Sequence, residues 1–200
     1  MEAAVDFVPS IAMGIGLSAS AGLRAWLPLL LAGLLSRAGL LSLGPSFGFL
    51  GSNQALLLFA IATCVEIVGD KVPAVDHALD AISTVLRPAA GAMLAASAFW
   101  QISDPLTAWT LGVAIGAPSA LVPHAAKSAL RVASTSFTAG LANPLISAVE
   151  DATAVVLFAL AVLVPLMAAV TVCVVGLLVL RLWRRRAAPP ALHGNLAPLG

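Results

Sequence analysis

Of the charged side chains between Arg24 and Asp151, eleven are candidates for burial in a chain that is otherwise strongly apolar, Arg37 and Asp104 being set aside at expected loops. Arg24, Lys71, Arg87, Lys127 and Arg131 stand against Glu66, Asp70, Asp76, Asp80, Glu150 and Asp151. An unpaired charge at the centre of a bilayer costs at least ~2.5–3.5 kcal/mol. So many are carried only if they are paired, cavity-facing or close to the membrane surfaces, and the near balance of signs favours pairing. For Asp70, Lys71 and Asp151 a solvated helix-end position among lipid headgroups is a stronger alternative to burial than for the others. Glu66, Asp76, Asp80, Lys127 and Arg131 read as interior.

Spacing sharpens the pattern. Asp76 and Asp80 are four apart and share one helix face, with His77 about 100° round. His124, Lys127 and Arg131 follow three- and four-residue steps and form one basic stripe. An acidic and a basic stripe could face each other, pairing Asp76 with Arg131 and Asp80 with Lys127, or could line one wet cavity. Arg24 sits between two apolar runs with Pro28 close behind, so Glu66 or Glu150 is its expected carboxylate, and Arg87 is likewise a structural ion-pair residue. Glu66 or one of the histidines could carry protons, and Glu150 joins Glu66, Asp76, His77, Asp80, His124, Lys127 and Arg131 as a candidate for a substrate or ion pathway. The Asp76-x3-Asp80 spacing could also hold Mg²⁺, with Arg87, Lys127 and Arg131 on a phosphate. No extended motif surrounds those aspartates, and no glycine-rich phosphate loop is present. His77, His124 and His193 lack a ligand set. Cys64 and Cys173 lie in apolar runs as small packing residues. No metal and no cofactor is therefore expected.

The elements that must position these groups are set by an unusual composition. The chain is 60% hydrophobic and 10% charged, with a mean hydropathy of +1.04, where soluble domains carry about 25% charged residues. A formal net charge of +1 excludes a global field that would attract nucleic acid. Uncharged runs cover 7–23, 25–36, 38–65, 88–103, 105–123, 132–149 and 152–180. Spans need about 20 apolar residues, and several runs fall short. The expected fold is an all-α, polytopic transmembrane bundle of about five to seven segments, some broken or re-entrant. The turn-rich stretch LGPSFGFLGSN predicts a loop with a helix starting near Gln54. Pro73 and Pro123 are expected near helix starts. Run 152–180 would extend about 44 Å at 1.5 Å per residue, which points to tilt or a kink at Pro165. Residues 1–183 form one membrane domain and 184–200 a disordered tail. The arginines from Arg181 to Arg186 place that tail in the cytoplasm. The N-terminus lacks the basic region of a secretory signal. An inverted repeat is suggested by Val72-Pro73 against Val122-Pro123, Ser83-Thr84 against Ser134-Thr135, and Gly91 against Gly140.

The stretches SASAGLRAWLPLL (18–30), EIVGDKVPAVDHALD (66–80), RPAAG (87–91), HAAKSALR (124–131) and NPLISAVED (143–151) together resemble a bacterial membrane family known as domain of unknown function 4126. The resemblance covers roughly residues 14–168. It implies a bacterial inner-membrane protein and supports the grouping of polar residues, but it supplies no activity or catalytic residue. Three functions compete. A small permease or channel-like protein is favoured by the intramembrane charges and interrupted helices. A structural or lipid-organising protein would use the charges only to lock its fold. An enzyme acting on a lipid phosphate is the least favoured. The expected partners are membrane lipids and a small solute or ion, with no nucleic acid; self-association is open.

Overall fold

The computed structural model describes residues 2–70 and 73–186, with side chains at 7–70, 82–165, 167 and 181. Six α-helices follow one another: α1 (Glu2–Leu23), α2 (Trp26–Arg37), α3 (Asn53–Gly69), α4 (Pro73–Ala98), α5 (Pro105–Thr138) and α6 (Asn143–Arg186). A 3-10 helix, η1 (Pro45–Gly51), lies between α2 and α3. No strand occurs among the described residues. The chain divides into two compact units, residues 1–165 and 166–200, and the core and the ionic residues below belong to the first.

Helices α1, α4 and α5 pack against one another through small side chains. On α5 the buried face reads Ala108, Gly112, Gly116, Ala120, His124, Lys127, Arg131 and Ser134, a three- and four-residue rhythm that is one helix stripe. Its first half is small and its second half ionic. A Cβ on Gly116 would stand 2.3 Å from the Gly91 carbonyl oxygen, and one on Gly22 would stand 2.1 Å from that of Ala120. The backbones therefore meet directly, the close approach that small-residue stripes allow where lipid gives no hydrophobic drive between helices. Ser18 Oγ spans the α1–α4 contact by donating to the Gly91 carbonyl at 2.7 Å. The larger core side chains, among them Leu17, Leu29, Phe47, Leu50, Phe59 and Leu94, fill the remaining space around α1 and α2.

Helices α5 and α6 up to Pro165 are long and apolar enough to cross a membrane, and η1 with α3 makes a third such segment if the pair, bent by 62°, is one span. Helix α2 and the Phe7–Leu23 part of α1 are shorter apolar stretches. The turn-rich stretch before α3 is thus not plain loop, since most of it winds into η1.

Two expectations are corrected. Pro123 does not begin a helix: it lies inside α5, as does Pro118. The charges at 124–131 do not interrupt the helix, because those that are buried share its inward face. Pro73, by contrast, is the first residue of α4. The two prolines are not equivalent, and neither are Gly91, which is packed in a helix, and Gly140, which takes a positive φ of 82° in a turn. The inverted repeat therefore loses its anchor points. Helix α6 continues through Pro165, and the tail from residue 187 lies outside the described residues.

Candidate functional site

The site begins at the gap between α1 and α2. Arg24 and Ala25 are not helical, and the start of α2 has no side-chain cap of its own because Ala25 stands at the N-cap. Free N–H groups at a helix start need partners. Glu66 of α3 supplies them: its Oε1 accepts from the Ala25 N–H at 3.1 Å and its Oε2 from the Trp26 N–H at 3.3 Å. A carboxylate is also the charge that a helix N-terminus favours.

The same gap releases the Arg24 side chain inward, where it is fully buried. Its guanidinium pairs with Asp70 and with Asp151. It donates to Ser147 Oγ at 2.8 Å and to the Glu66 carbonyl at 3.5 Å. Sequence reasoning gave it Glu66 or Glu150. The carboxylates it meets are Asp70, at the C-cap of α3, and Asp151, with Glu66 contributing only its backbone oxygen.

Asp70 is the hub. Its Oδ2 accepts from Arg24, from Lys127 at 3.3 Å and from Arg131 at 3.0 Å. Glu150 Oε2 takes the same two cations of α5, Lys127 at 3.0 Å and Arg131 at 3.2 Å. Glu150 Oε1 is buried and makes no hydrogen bond. A second pair lies beside the first, with Arg87 of α4 3.9 Å from Glu66. Arg87 also lies 2.5 Å from His124 Nδ1. Arginine can only donate, so His124 Nδ1 accepts and the ring carries its proton on Nε2.

Arg24, Arg87, Lys127 and Arg131 thus meet Glu66, Asp70, Glu150 and Asp151, and of these only Asp151 is appreciably exposed, at 26%. The described charges balance, as burial requires. Of the residues expected to do chemistry, Glu66, His124, Lys127, Arg131 and Glu150 come together with Arg24 and Arg87. The side chains of Asp76, His77 and Asp80 lie outside the described residues, and the pairings expected of them do too. Sequence reasoning counted Asp70 and Asp151 among the charges open to burial, with a headgroup position as the alternative, and overlooked Ser147. Their spacing held a signal: Asp70 is four residues after Glu66, and Ser147, Glu150 and Asp151 follow a three- and four-residue step on α6.

Two cavities touch the cluster. A groove of about 420 Å³ between α5 and the start of α6 has Lys127 and Glu150 among hydrocarbon side chains such as Leu130, Ile146 and Val149. A smaller one, about 180 Å³, lies over Glu66 between Trp26, Val65 and Ile82.

A family model described as "Domain of unknown function (DUF4126)" matches residues 11–185. No curated protein and no solved structure matches the chain.

Proposed function

The chain belongs to the DUF4126 family, and from that premise we propose that it is a polytopic bacterial inner-membrane protein of permease type whose buried ionic cluster is its binding and coupling centre. The observation that carries this is the uneven sharing of carboxylate oxygens. One oxygen of Asp70 serves three cations while Glu150 Oε1, equally buried, serves none. A cluster built only for stability would spread its donors, since a buried polar atom left unsatisfied costs about 1–3 kcal/mol. This one can re-pair: a proton or a small polar solute reaching Glu150 would shift Lys127 and Arg131 toward Asp70 or away from it. Switching of this kind needs a bistable element that a ligand biases, and the gap at Arg24 and the bent η1–α3 pair are places where backbone could move.

On this reading five to seven helices are membrane segments, α1 and α2 being one broken span, and residues 1–183 form one domain with the arginine-rich end in the cytoplasm. Lipids are its surroundings. The test is flux. Liposomes containing the full chain and an entrapped pH-sensitive dye are given a proton gradient, alone and then with amino acids, sugars and organic acids outside. Proton or solute movement above protein-free liposomes is expected, and Glu150→Gln should lower it at least tenfold while the variant still purifies as a folded helical protein.

A second reading, a structural protein locked by its charges, is favoured by Glu66, whose carboxylate caps α2. It takes over if no tested solute or proton moves and charge-neutral variants fail only by unfolding. The lipid-phosphate enzyme has less support, because Lys127 and Arg131 hold carboxylates and Arg87 holds Glu66 and His124.

A further inference from the structure

We infer that His124 is the proton sensor that regulates the cluster: neutral, it holds Arg87 away from Glu66, and protonated, it releases Arg87 to Glu66 and loosens the start of α2. This deepens the proposed function and rests on the cluster being the working centre. The three side chains come from three helices, Glu66 from α3, Arg87 from α4 and His124 from α5. They are 4%, 1% and 8% exposed, so a change of charge among them is little screened.

Arg87 is held unequally. One guanidinium nitrogen stands 2.5 Å from His124 Nδ1, while the other stands 3.9 Å from Glu66 Oε1, beyond hydrogen-bond reach. The short contact exists only while Nδ1 keeps its lone pair. A proton added there turns Nδ1 into a donor, and donor then faces donor. It also sets imidazolium against guanidinium, two like charges in contact. Arginine stays charged, so it is Arg87 that moves, and the carboxylate already beside it is Glu66. Closing by about 1 Å turns that contact into a hydrogen bond.

The surrounding charges favour that direction. His124 shares the inward face of α5 with Lys127 and Arg131. Around this stripe stand Glu66 and Asp70 of α3, Arg87 of α4, Arg24 after α1, and Glu150 and Asp151 of α6. The side chains of Asp76, His77 and Asp80 lie outside the described residues. The described cations and carboxylates balance, so a proton on His124 leaves one positive charge in excess. Among the four described carboxylates, Glu66 is the one with no cation within hydrogen-bond distance.

Glu66 transmits the change. Its carboxylate takes the N–H groups of Ala25 and Trp26 at 3.1 and 3.3 Å, longer than the ~2.7–2.9 Å of a strong charge-assisted bond. A cavity of about 180 Å³ lies over it, so the side chain has room to shift. Drawn toward Arg87, it gives up part of its hold on the start of α2, next to Arg24 and the Asp70 hub.

The test uses the full chain in nanodiscs at about pH 8 and about pH 5, either side of the ordinary histidine range. Nitrogen-15 NMR of labelled histidine reads the imidazoles, with His77→Gln and His193→Gln assigning the other two. His124 is expected neutral, with its proton on Nε2, at the higher pH and doubly protonated at the lower. Hydrogen exchange, corrected for the pH dependence of the intrinsic rate, reads the amides of Ala25 and Trp26. Their protection is expected to fall about tenfold as His124 titrates. In His124→Gln the amide oxygen accepts from Arg87 at either pH, so protection should not change. A His124 that stays neutral at both pH values, protection that holds while His124 titrates, or an equal loss of protection in His124→Gln would overturn the switch. The first two outcomes are read in the wild-type chain and decide even where the variant does not fold. Absence of flux in liposomes at either pH would remove the permease reading and leave the switch standing on its wild-type readouts, and flux with His124 neutral throughout would do the reverse.

Discussion

At the scale of single residues the cluster is a set of obligations. Arg24 touches two carboxylates, a serine and a backbone carbonyl from α3 and α6, and it does so because the backbone leaves the helix at that residue. Removing one member of a buried ion pair costs about 3–5 kcal/mol, since the partner is left charged and alone. Arg24→Ala should therefore destabilise the protein by about that much, read as thermal unfolding in detergent. Adding Asp151→Asn should recover part of the loss, because the stranded carboxylate is then neutral; strictly additive losses would show that the pair is not coupled. That Arg24 would be buried and paired was legible from the apolar runs on either side of it. Its partners were not. Carboxylates at 66, 70, 150 and 151 are equally eligible along the chain, and only the three-dimensional ends of α3 and α6 decide between them. A headgroup position stayed open for Asp70 because it follows the last turn of a helix, yet that helix end is inside the molecule, where its side chain is 1% exposed.

At the scale of elements, helix packing and helix ends matter most. The α4–α5 contact has no room for a side chain at Gly116. Gly116→Leu should drive the helices apart and lose the folded protein in size-exclusion chromatography, well beyond the ~1–3 kcal/mol of ordinary overpacking. Gly48 in η1 has nothing within 4 Å of an added Cβ, so Gly48→Ala should elute and melt as wild type. The start of α5 gives a pH signature. Asp104 caps it, accepting from the Thr107 N–H at 2.8 Å and also from the Thr107 hydroxyl. Those bonds, the hydroxyl's first, hold its carboxyl below the ordinary 3.8. A depressed folded value means the cap stabilises fully above pH 3.8 and fades as pH falls through the folded value below it. Wild type should thus melt higher than Asp104→Ala at neutral pH, with the gap closing only in strong acid; a gap unchanged at pH 2 would refute the assignment. Single-stretch hydropathy split α5 at Pro123 because it counted every charge as an interruption. The inward face of a long helix accepts charges once other elements supply their counter-ions, and a proline inside it is tolerated when neighbours cover the freed carbonyl.

At the scale of the whole molecule the polarity is the reverse of a water-soluble protein's. Arg24, Arg87 and Lys127 are among the most buried side chains, while Val85, Leu106, Val122, Phe137 and Leu141 are each more than 70% exposed. Composition made that inversion legible before any coordinates, since a chain with so few charges cannot both pair them inside and cover its surface with them. A bilayer would make this arrangement stable, and that surrounding can be tested without knowing any substrate. Val122 lies near the middle of α5 and is 73% exposed; Phe137 lies at its C-terminal end and is 88% exposed. In water a surface arginine at either position would change stability by no more than ~0.5 kcal/mol. In lipid the two separate. An arginine in place of Val122 stands near the bilayer centre and costs at least ~2.5–3.5 kcal/mol, whereas one near a helix end can extend its long side chain to the headgroups. Val122→Arg should therefore cut the amount of protein inserted in membranes and its melting temperature, while Phe137→Arg should do so far less. The comparison is read by carbonate extraction of membranes and by unfolding in nanodiscs. Equal tolerance of both substitutions would place that face of α5 in water or against protein, because only a hydrocarbon layer of limited thickness distinguishes the middle of a helix from its end.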